Sequence, residues 1–168
     1  LDTTGDTFHR DAMGYCNFFH YTNESGRNDI VSAKVSKTDA ATYFLAVCAD
    51  TITAPAGSNW MNLFINTDAN YETGWYGYDY IVDWESVSKY TGNGKTYSYT
   101  QSASVEYILE GNELMITVPR SALGLTSDNV KFCFKWSDSK QKITTMEQMY
   151  TDGDTAPHGR LNYLFQNY

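Results

Sequence analysis

The stretch that decides the fold runs from Asn59 to Val82 and reads NWMNLFINTDANYETGWYGYDYIV. Polar and apolar residues alternate up to Ile65, which is the period of a half-buried β-strand. Oxygen-bearing side chains follow at Asn66, Asp68 and Asn70, and a loop rich in glycine and aromatic residues leads into a second strand-like run. The stretch therefore predicts a strand, a loop and a strand that together form a binding edge on a β-sandwich.

Strand-like runs also dominate the rest of the chain. They cover Asp29–Val35, Thr42–Ala49, Tyr78–Trp84, Ser104–Glu110, Glu113–Pro119 and Val130–Trp136. Turn signals stand at Asn93-Gly94 and Gly111-Asn112, and Pro119–Leu125 is long enough for one helical turn. We predict one domain over residues 1–168, an all-β, two-sheet antiparallel β-sandwich of immunoglobulin-like or jelly-roll-like form. The side chains expected between the sheets are Met61, Leu63, Ile65, Leu114, Ile116 and Val118. Trp60 and Trp136 are expected in the core or on a sheet face.

Composition narrows the classes of function. The net charge of −8 argues against nucleic acid as a partner, because its phosphates require clustered Lys and Arg. No apolar run approaches ~18 residues, so we expect no membrane span. Aromatic residues reach 15% while charged residues are 19%, which favours flat, uncharged ligands. Because the chain begins at Leu1 without a leader, we expect a processed or excised piece of a longer protein.

The three cysteines are an odd number without the spacing of a metal site. We expect Cys16, Cys48 and Cys133 to be buried thiols, with one disulfide plus a free thiol as the alternative.

The oxygen-rich loop resembles part of a calcium loop. Asn66, Asp68 and Asn70 match its positions 1, 3 and 5, but Tyr71 replaces the glycine of the sharp turn and the bidentate glutamate is missing, which excludes an EF-hand. Calcium accepts oxygen ligands flexibly, so we predict a structural calcium site of a different geometry, held by Asp68, Asn70 and Asp79. The alternative is a turn in which these side chains bond their own backbone.

Five aromatic residues in and after this loop are candidate sugar ligands. Trp75 and Tyr76 lie in a glycine-flanked loop, Tyr71 and Tyr78 stand on either side of it, and Trp84 ends a strand. The apolar face of a sugar ring stacks on such side chains, while nearby polar groups bind its hydroxyls. The alternative is that these rings cap the sandwich core.

The ends of the chain share a short motif. Gly5-Asp6-Thr7 precedes His9-Arg10, and Gly153-Asp154-Thr155 precedes His158-Gly159-Arg160. We predict two ordered loops in which Asp and Arg pair. The sequence contains no GxSxG elbow, HExxH pair or P-loop, so we expect no catalytic residues in this chain.

Two segments of the chain resemble the family 9 carbohydrate-binding modules and their DOMON-like relatives. The resemblance rests on residues 64–70, which match an F-I-D-x-D-x-N loop, and on residues 112–124, which match an N-x-L-x-I-x-I-P-x-x-x-L-G segment. It covers residues 30–136, and Asn66 departs from the aspartate usual in the loop. It implies an accessory module of a secreted bacterial polysaccharide-degrading enzyme, a β-sandwich with structural calcium that holds sugar between aromatic rings.

The leading hypothesis is thus a non-catalytic, extracellular carbohydrate-binding module, tethered to a catalytic domain and binding a polysaccharide or oligosaccharide. One alternative is a structural or cell-surface adhesion domain. Another, also implied by the DOMON-like resemblance, is a haem-binding electron-transfer domain, for which Met13, Met61, His9 and His20 are the available ligands.

Overall fold

The computed structural model describes residues 1–6, 10–14, 19–56 and 59–167, and this part of the chain is almost entirely β-structure. Its thirteen strands are β1 (Arg10–Met13), β2 (His20–Asn23), β3 (Ile30–Lys37), β4 (Ala41–Cys48), β5 (Asn62–Asn66), β6 (Tyr80–Val82), β7 (Ser86–Tyr90), β8 (Tyr99–Ser104), β9 (Glu106–Glu110), β10 (Glu113–Pro119), β11 (Lys131–Ser137), β12 (Thr155–Ala156) and β13 (Tyr163–Gln166). Short 3-10 turns cover Arg120–Leu123 and Glu147–Tyr150.

Two antiparallel sheets form the body of the molecule. The small sheet has four strands in the order β3-β4-β10-β9. The large sheet has seven, in the order β12-β11-β5-β6-β7-β8, with β13 pairing β11 alongside β12. A separate hairpin joins β1 to β2. The predicted all-β antiparallel sandwich is therefore confirmed.

The main core lies between the two sheets, and its residues come from alternate positions of facing strands. The Phe44 ring of β4 packs on Phe132 and Phe134 of β11, with ring centroids 5.7 and 5.6 Å apart. All six side chains predicted between the sheets are fully buried there, as are Trp60 and Trp136. Strand periodicity located this core because alternate side chains point to opposite faces of a sheet.

Two predicted strands have different bounds in the structure. The run Ser104–Glu110 is divided at Val105, whose backbone N–H donates to Glu85 and which separates β8 of the large sheet from β9 of the small sheet. The run Tyr78–Trp84 is reduced to β6, because the Asp83 carboxylate accepts the backbone N–H groups of residues 85 and 86 and turns the chain there.

The two terminal segments meet, and the predicted pairing of Asp with Arg occurs once among the described residues, between the two segments and not within each of them. Arg10 approaches Asp154 at 3.7 Å, and His158 approaches Asp6 at 3.2 Å. Together with Asp29, the two carboxylates form a cluster whose oxygens lie within 4.8 Å of one another. These contacts join the ends of the chain to the start of β3. Thr7 and His9 of the motif lie outside the described residues.

Candidate functional site: an aromatic cleft on the large sheet

A second apolar cluster covers the outer face of the large sheet. Its buried members are Phe64, Trp75, Tyr78, Ile143 and Met149. Phe64 belongs to β5 and points away from the main core, because its neighbours at positions 63 and 65 point into that core. The loop that follows β5 and the segment that follows β11 fold over this face, so side chains distant in sequence share one surface.

Trp75 lies inside this cluster, which corrects the prediction that its ring faces a ligand. The side chain has no exposed surface and contacts Phe64 and Tyr97, with centroids 5.9 and 5.1 Å away. A buried ring cannot stack on a sugar. The alternative interpretation holds for Trp75, except that the core it completes is this second cluster and not the one between the sheets.

Above the cluster is a cleft of about 610 Å³. We use "the cleft" for the cavity lined by Phe19, Tyr21, Tyr71, Tyr76, Tyr78, Lys95, Lys135, Met146, Glu147, Tyr150, Arg160 and Asn162. Six of these twelve residues are aromatic, and most of the others are charged or amide side chains. Three of the predicted sugar ligands, at positions 71, 76 and 78, line this cleft, but only the rings of Tyr71 and Tyr76 are exposed. Tyr78 is buried like Trp75, which corrects the prediction that its ring stacks on a sugar. The two predicted tryptophans do not line the cleft.

Tyr76 is an exposed ring of the cleft that packs against the buried cluster. It stands edge-on to Trp75 at 5.5 Å, and the Lys95 amine lies 5.2 Å from its ring centroid. Its backbone has a φ of 51°, in the left-handed region that a bulky residue rarely adopts. Such a conformation costs roughly 1 kcal/mol for a residue with a side chain. A glycine would avoid this cost, so the tyrosine contributes something other than the turn itself.

The polar wall of the cleft is held by hydrogen bonds to fixed groups. The Tyr78 hydroxyl donates to the Asn162 side-chain oxygen at 2.8 Å, and the Tyr150 hydroxyl donates to the Gly159 carbonyl at 2.9 Å. Burial raises the pKa of both tyrosines, so both hydroxyls stay protonated at neutral pH. The Asn162 amide nitrogen is left as a donor on the cleft wall.

Lys135 lies at the bottom of the cleft and is fully buried. Its amine donates to the carbonyls of Pro157 and Gly159 at 2.5 and 2.9 Å. Burial lowers its pKa to about 8. These bonds fix the segment that carries Arg160 and Asn162, so Lys135 supports one wall of the cleft.

Two further cavities adjoin the cleft. One of about 480 Å³ shares Tyr21, Tyr150 and Arg160 with it, and one of about 370 Å³ shares Tyr71, Tyr76 and Lys95. The shared residues make these two cavities direct extensions of the cleft, so the recessed surface is larger than the cleft alone.

Trp84 is elsewhere. It is half-buried against the main core and packs edge-on to Trp60, with centroids 5.9 Å apart, while Tyr107 packs on the other side of Trp60 at 6.2 Å. These three rings close one edge of the sandwich. Trp84 therefore follows the alternative interpretation, in which the ring caps the core.

The predicted calcium ligands already accept hydrogen bonds within their loop. Asp68 accepts from the Asn70 backbone and the Thr73 hydroxyl at 2.8 Å each, and Asp79 accepts from the Thr67 backbone at 2.7 Å. Asn70 in turn accepts from residue 72. Turn formation by these side chains accounts for their positions without a cation, and the only cluster of three acidic, His or Cys ligands in the described residues is that of the terminal segments. Calcium stays a prediction.

The residues considered for haem do not converge in the part of the chain that is described. Met13 and His20 are cross-strand neighbours on the exposed β1–β2 hairpin, and the His20 ring bonds Asp11. Met61 is buried in the main core. His9 lies outside the described residues, as does Cys16, while Cys48 and Cys133 are free thiols, the first buried and the second half-buried.

Sequence reasoning missed two parts of the cleft. Phe19 and Tyr21 come from the β1–β2 hairpin, and Tyr150, Arg160 and Asn162 come from the last thirty residues of the chain. The one sequence signal for these regions is the Gly-Asp-Thr motif shared by the two ends of the chain. It predicts two ordered terminal segments, and residues of the motif region do form contacts between them.

No family model matches the chain, and neither a curated protein nor a solved structure is significantly similar to it. The function must therefore be inferred from the fold and the cleft. In the described residues, no helix is both long and apolar enough to cross a membrane.

Proposed function

We propose that this chain is a non-catalytic carbohydrate-binding module of a secreted bacterial protein that degrades polysaccharides, and that it binds sugar in the cleft. The observation that carries the proposal is the combination of six aromatic side chains with amide and charged groups around a cleft of about 610 Å³. Aromatic walls with a few placed polar or charged groups are the usual construction of sites for small, ring-shaped ligands.

Tyr76 is the stacking residue in this proposal. Its ring is 40% exposed, and its edge-on contact with the buried Trp75 holds it in place, so little side-chain entropy is lost on binding. Tyr71 extends the aromatic surface, and Asn162 and Glu147 supply a donor and an acceptor for hydroxyl groups. The two adjoining cavities favour an oligosaccharide over a single sugar, with affinity that increases with chain length.

A glycan array followed by isothermal titration tests this proposal. The Tyr76→Ala variant should lose about 1–3 kcal/mol of binding free energy for a glycan that the wild type binds. Tyr107→Ala is the matched control, because Tyr107 is 41% exposed, also packs edge-on to a tryptophan, and lies at the sandwich edge with Trp60. Equal losses in both variants, or none in either, would contradict the proposed site.

A further inference from the structure

The cleft has a charge opposite to that of the molecule. Three of its lining residues are cationic, Lys95, Lys135 and Arg160, and one, Glu147, is acidic. The whole chain has a net charge of −8. A local excess of positive charge on an acidic protein concentrates anionic ligands at that place and repels them elsewhere.

Two of the three cations are available to a ligand. Lys95 and Arg160 are exposed, and neither takes part in an ion pair among the described residues. Lys135, in contrast, is buried and donates to two carbonyls. Arg10 and His158 of the adjoining cavity are paired with Asp154 and Asp6.

Both available cations stand beside aromatic rings of the cleft. The Lys95 amine lies 5.2 Å from the centroid of Tyr76. Burial raises the pKa of Tyr150, and the positive charge of the nearby Arg160 guanidinium opposes that rise. The Lys95 amine lies over the Tyr76 ring, so a sugar that stacks on this ring meets the amine directly. Arg160 lines the same cleft.

We propose that the cleft selects an anionic glycan, with Lys95 and Arg160 binding carboxylate or sulfate groups of a sugar chain that stacks on Tyr76. The inference rests on the proposed function and adds the class of sugar to it. Arg pairs with anionic oxygens through two parallel, charge-assisted hydrogen bonds, whereas its bonds to the hydroxyls of a neutral sugar lack the opposite charge. A single-stranded nucleic acid is disfavoured, because its evenly spaced phosphates need a continuous basic groove.

The test is a titration of the wild-type chain with four ligands of similar length. They are a uronic acid oligosaccharide, its carboxyl-reduced neutral form, a sulfated oligosaccharide and oligothymidylate. We expect the neutral form to bind at least tenfold more weakly than one of the two anionic glycans, and that glycan to lose affinity between 0.05 and 0.5 M salt. Which of the two it is identifies the anionic group.

The charge variants complete the test. Arg160→Gln and Lys95→Gln should each weaken binding of the anionic glycan by about tenfold, and should weaken it more than they weaken binding of the neutral form. Lys34→Gln is the control, because Lys34 is an exposed cation on β3 of the small sheet, and it should change neither. Thermal melting confirms that all three variants are folded.

The outcomes separate the two proposals. Equal binding of the charged and neutral glycans, with the Tyr76 dependence intact, would overturn only the choice of an anionic sugar. Oligothymidylate binding as tightly as the glycans would also overturn it. Absence of binding to every glycan would overturn the proposed function itself.

Discussion

At the scale of single residues, neighbours in sequence have opposite roles around the cleft. Trp75 has no exposed surface, whereas Tyr76 is 40% exposed. The left-handed turn at Tyr76 and the positive φ of Gly74 and Gly77 direct the two rings to different sides of the loop. A local pattern of glycine and aromatic residues cannot show which ring is buried, because the answer depends on contacts with Phe64 and Tyr97 far away in the chain.

This difference in burial predicts that substitutions at the two positions have unequal effects on stability. Trp75→Ala should lower the free energy of unfolding by about 3–5 kcal/mol, because it leaves a cavity among packed aromatic rings. Tyr76→Ala should change it by less than about 1 kcal/mol, since half of the ring is in solvent and the turn strain persists. Urea denaturation of both variants checks the pair, and comparable losses would mean that Trp75 is not part of a packed core.

The lowered pKa of Lys135 predicts that the stability of the protein depends on pH. Its pKa is lowered from 10.5 to about 8, so between these values the folded state holds fewer protons than the unfolded chain. The contribution of Lys135 to stability must then rise as the pH increases through this window, by up to about 3 kcal/mol. The free energy of unfolding of the wild type minus that of Lys135→Met should increase between pH 7 and 10.5. Tyrosines that ionise in the same range are common to both proteins and cancel, so parallel profiles would contradict a buried, charged amine.

At the scale of elements, the loop after β5 is held by its own side chains. Asp68→Ala removes two acceptors, for the Asn70 backbone and the Thr73 hydroxyl, and should cost about 1 kcal/mol of stability. Glu72→Ala is an exposed control in the same loop and should stay within about 0.5 kcal/mol of the wild type. Equal effects would mean that the carboxylate of Asp68 does not organise the loop.

The predicted calcium site in the same loop can be tested by thermal melting. If Asp68, Asn70 and Asp79 hold the ion, a chelator should lower the melting temperature, because a ligand of the folded state alone stabilises it by mass action. Asp68→Ala should abolish the difference. Identical melting of calcium-loaded and chelator-treated protein would leave turn formation as the whole role of these residues.

The strands also show why the sequence predicts the fold better than the site. Leu114, Ile116 and Val118 alternate along β10, and their burial follows from that alternation alone. The division of residues 104–110 between two sheets depends on which strands are neighbours. A local sequence pattern does not contain that information. The 3-10 turn after Pro119 and the hairpin at Gly111-Asn112 were predictable because their residue types determine the backbone conformation.

At the scale of the whole molecule, the cleft exists only because distant segments meet over one sheet. Its lining comes from the β1–β2 hairpin, the loop after β5, Lys95, β11 and the segment that leads to β13. The candidate tyrosines at positions 71, 76 and 78 were predictable from their loop, but Tyr150, Arg160 and Asn162 were not, since their positions follow from tertiary contacts such as those of Lys135. In the proposed function, a sugar binds on this outer face and not at the edge formed by Trp60, Trp84 and Tyr107.

Amide and side-chain NMR spectra recorded during titration with a bound glycan test that claim most directly. We expect the largest shift changes at Tyr76, Tyr78, Lys95, Tyr150, Arg160 and Asn162, and also at the indole of the underlying Trp75. Residues of the small sheet and of the sandwich edge, including Trp84 and Tyr107, should stay within the noise. Shift changes centred on Trp84 and Tyr107, with the cleft unaffected, would contradict the account.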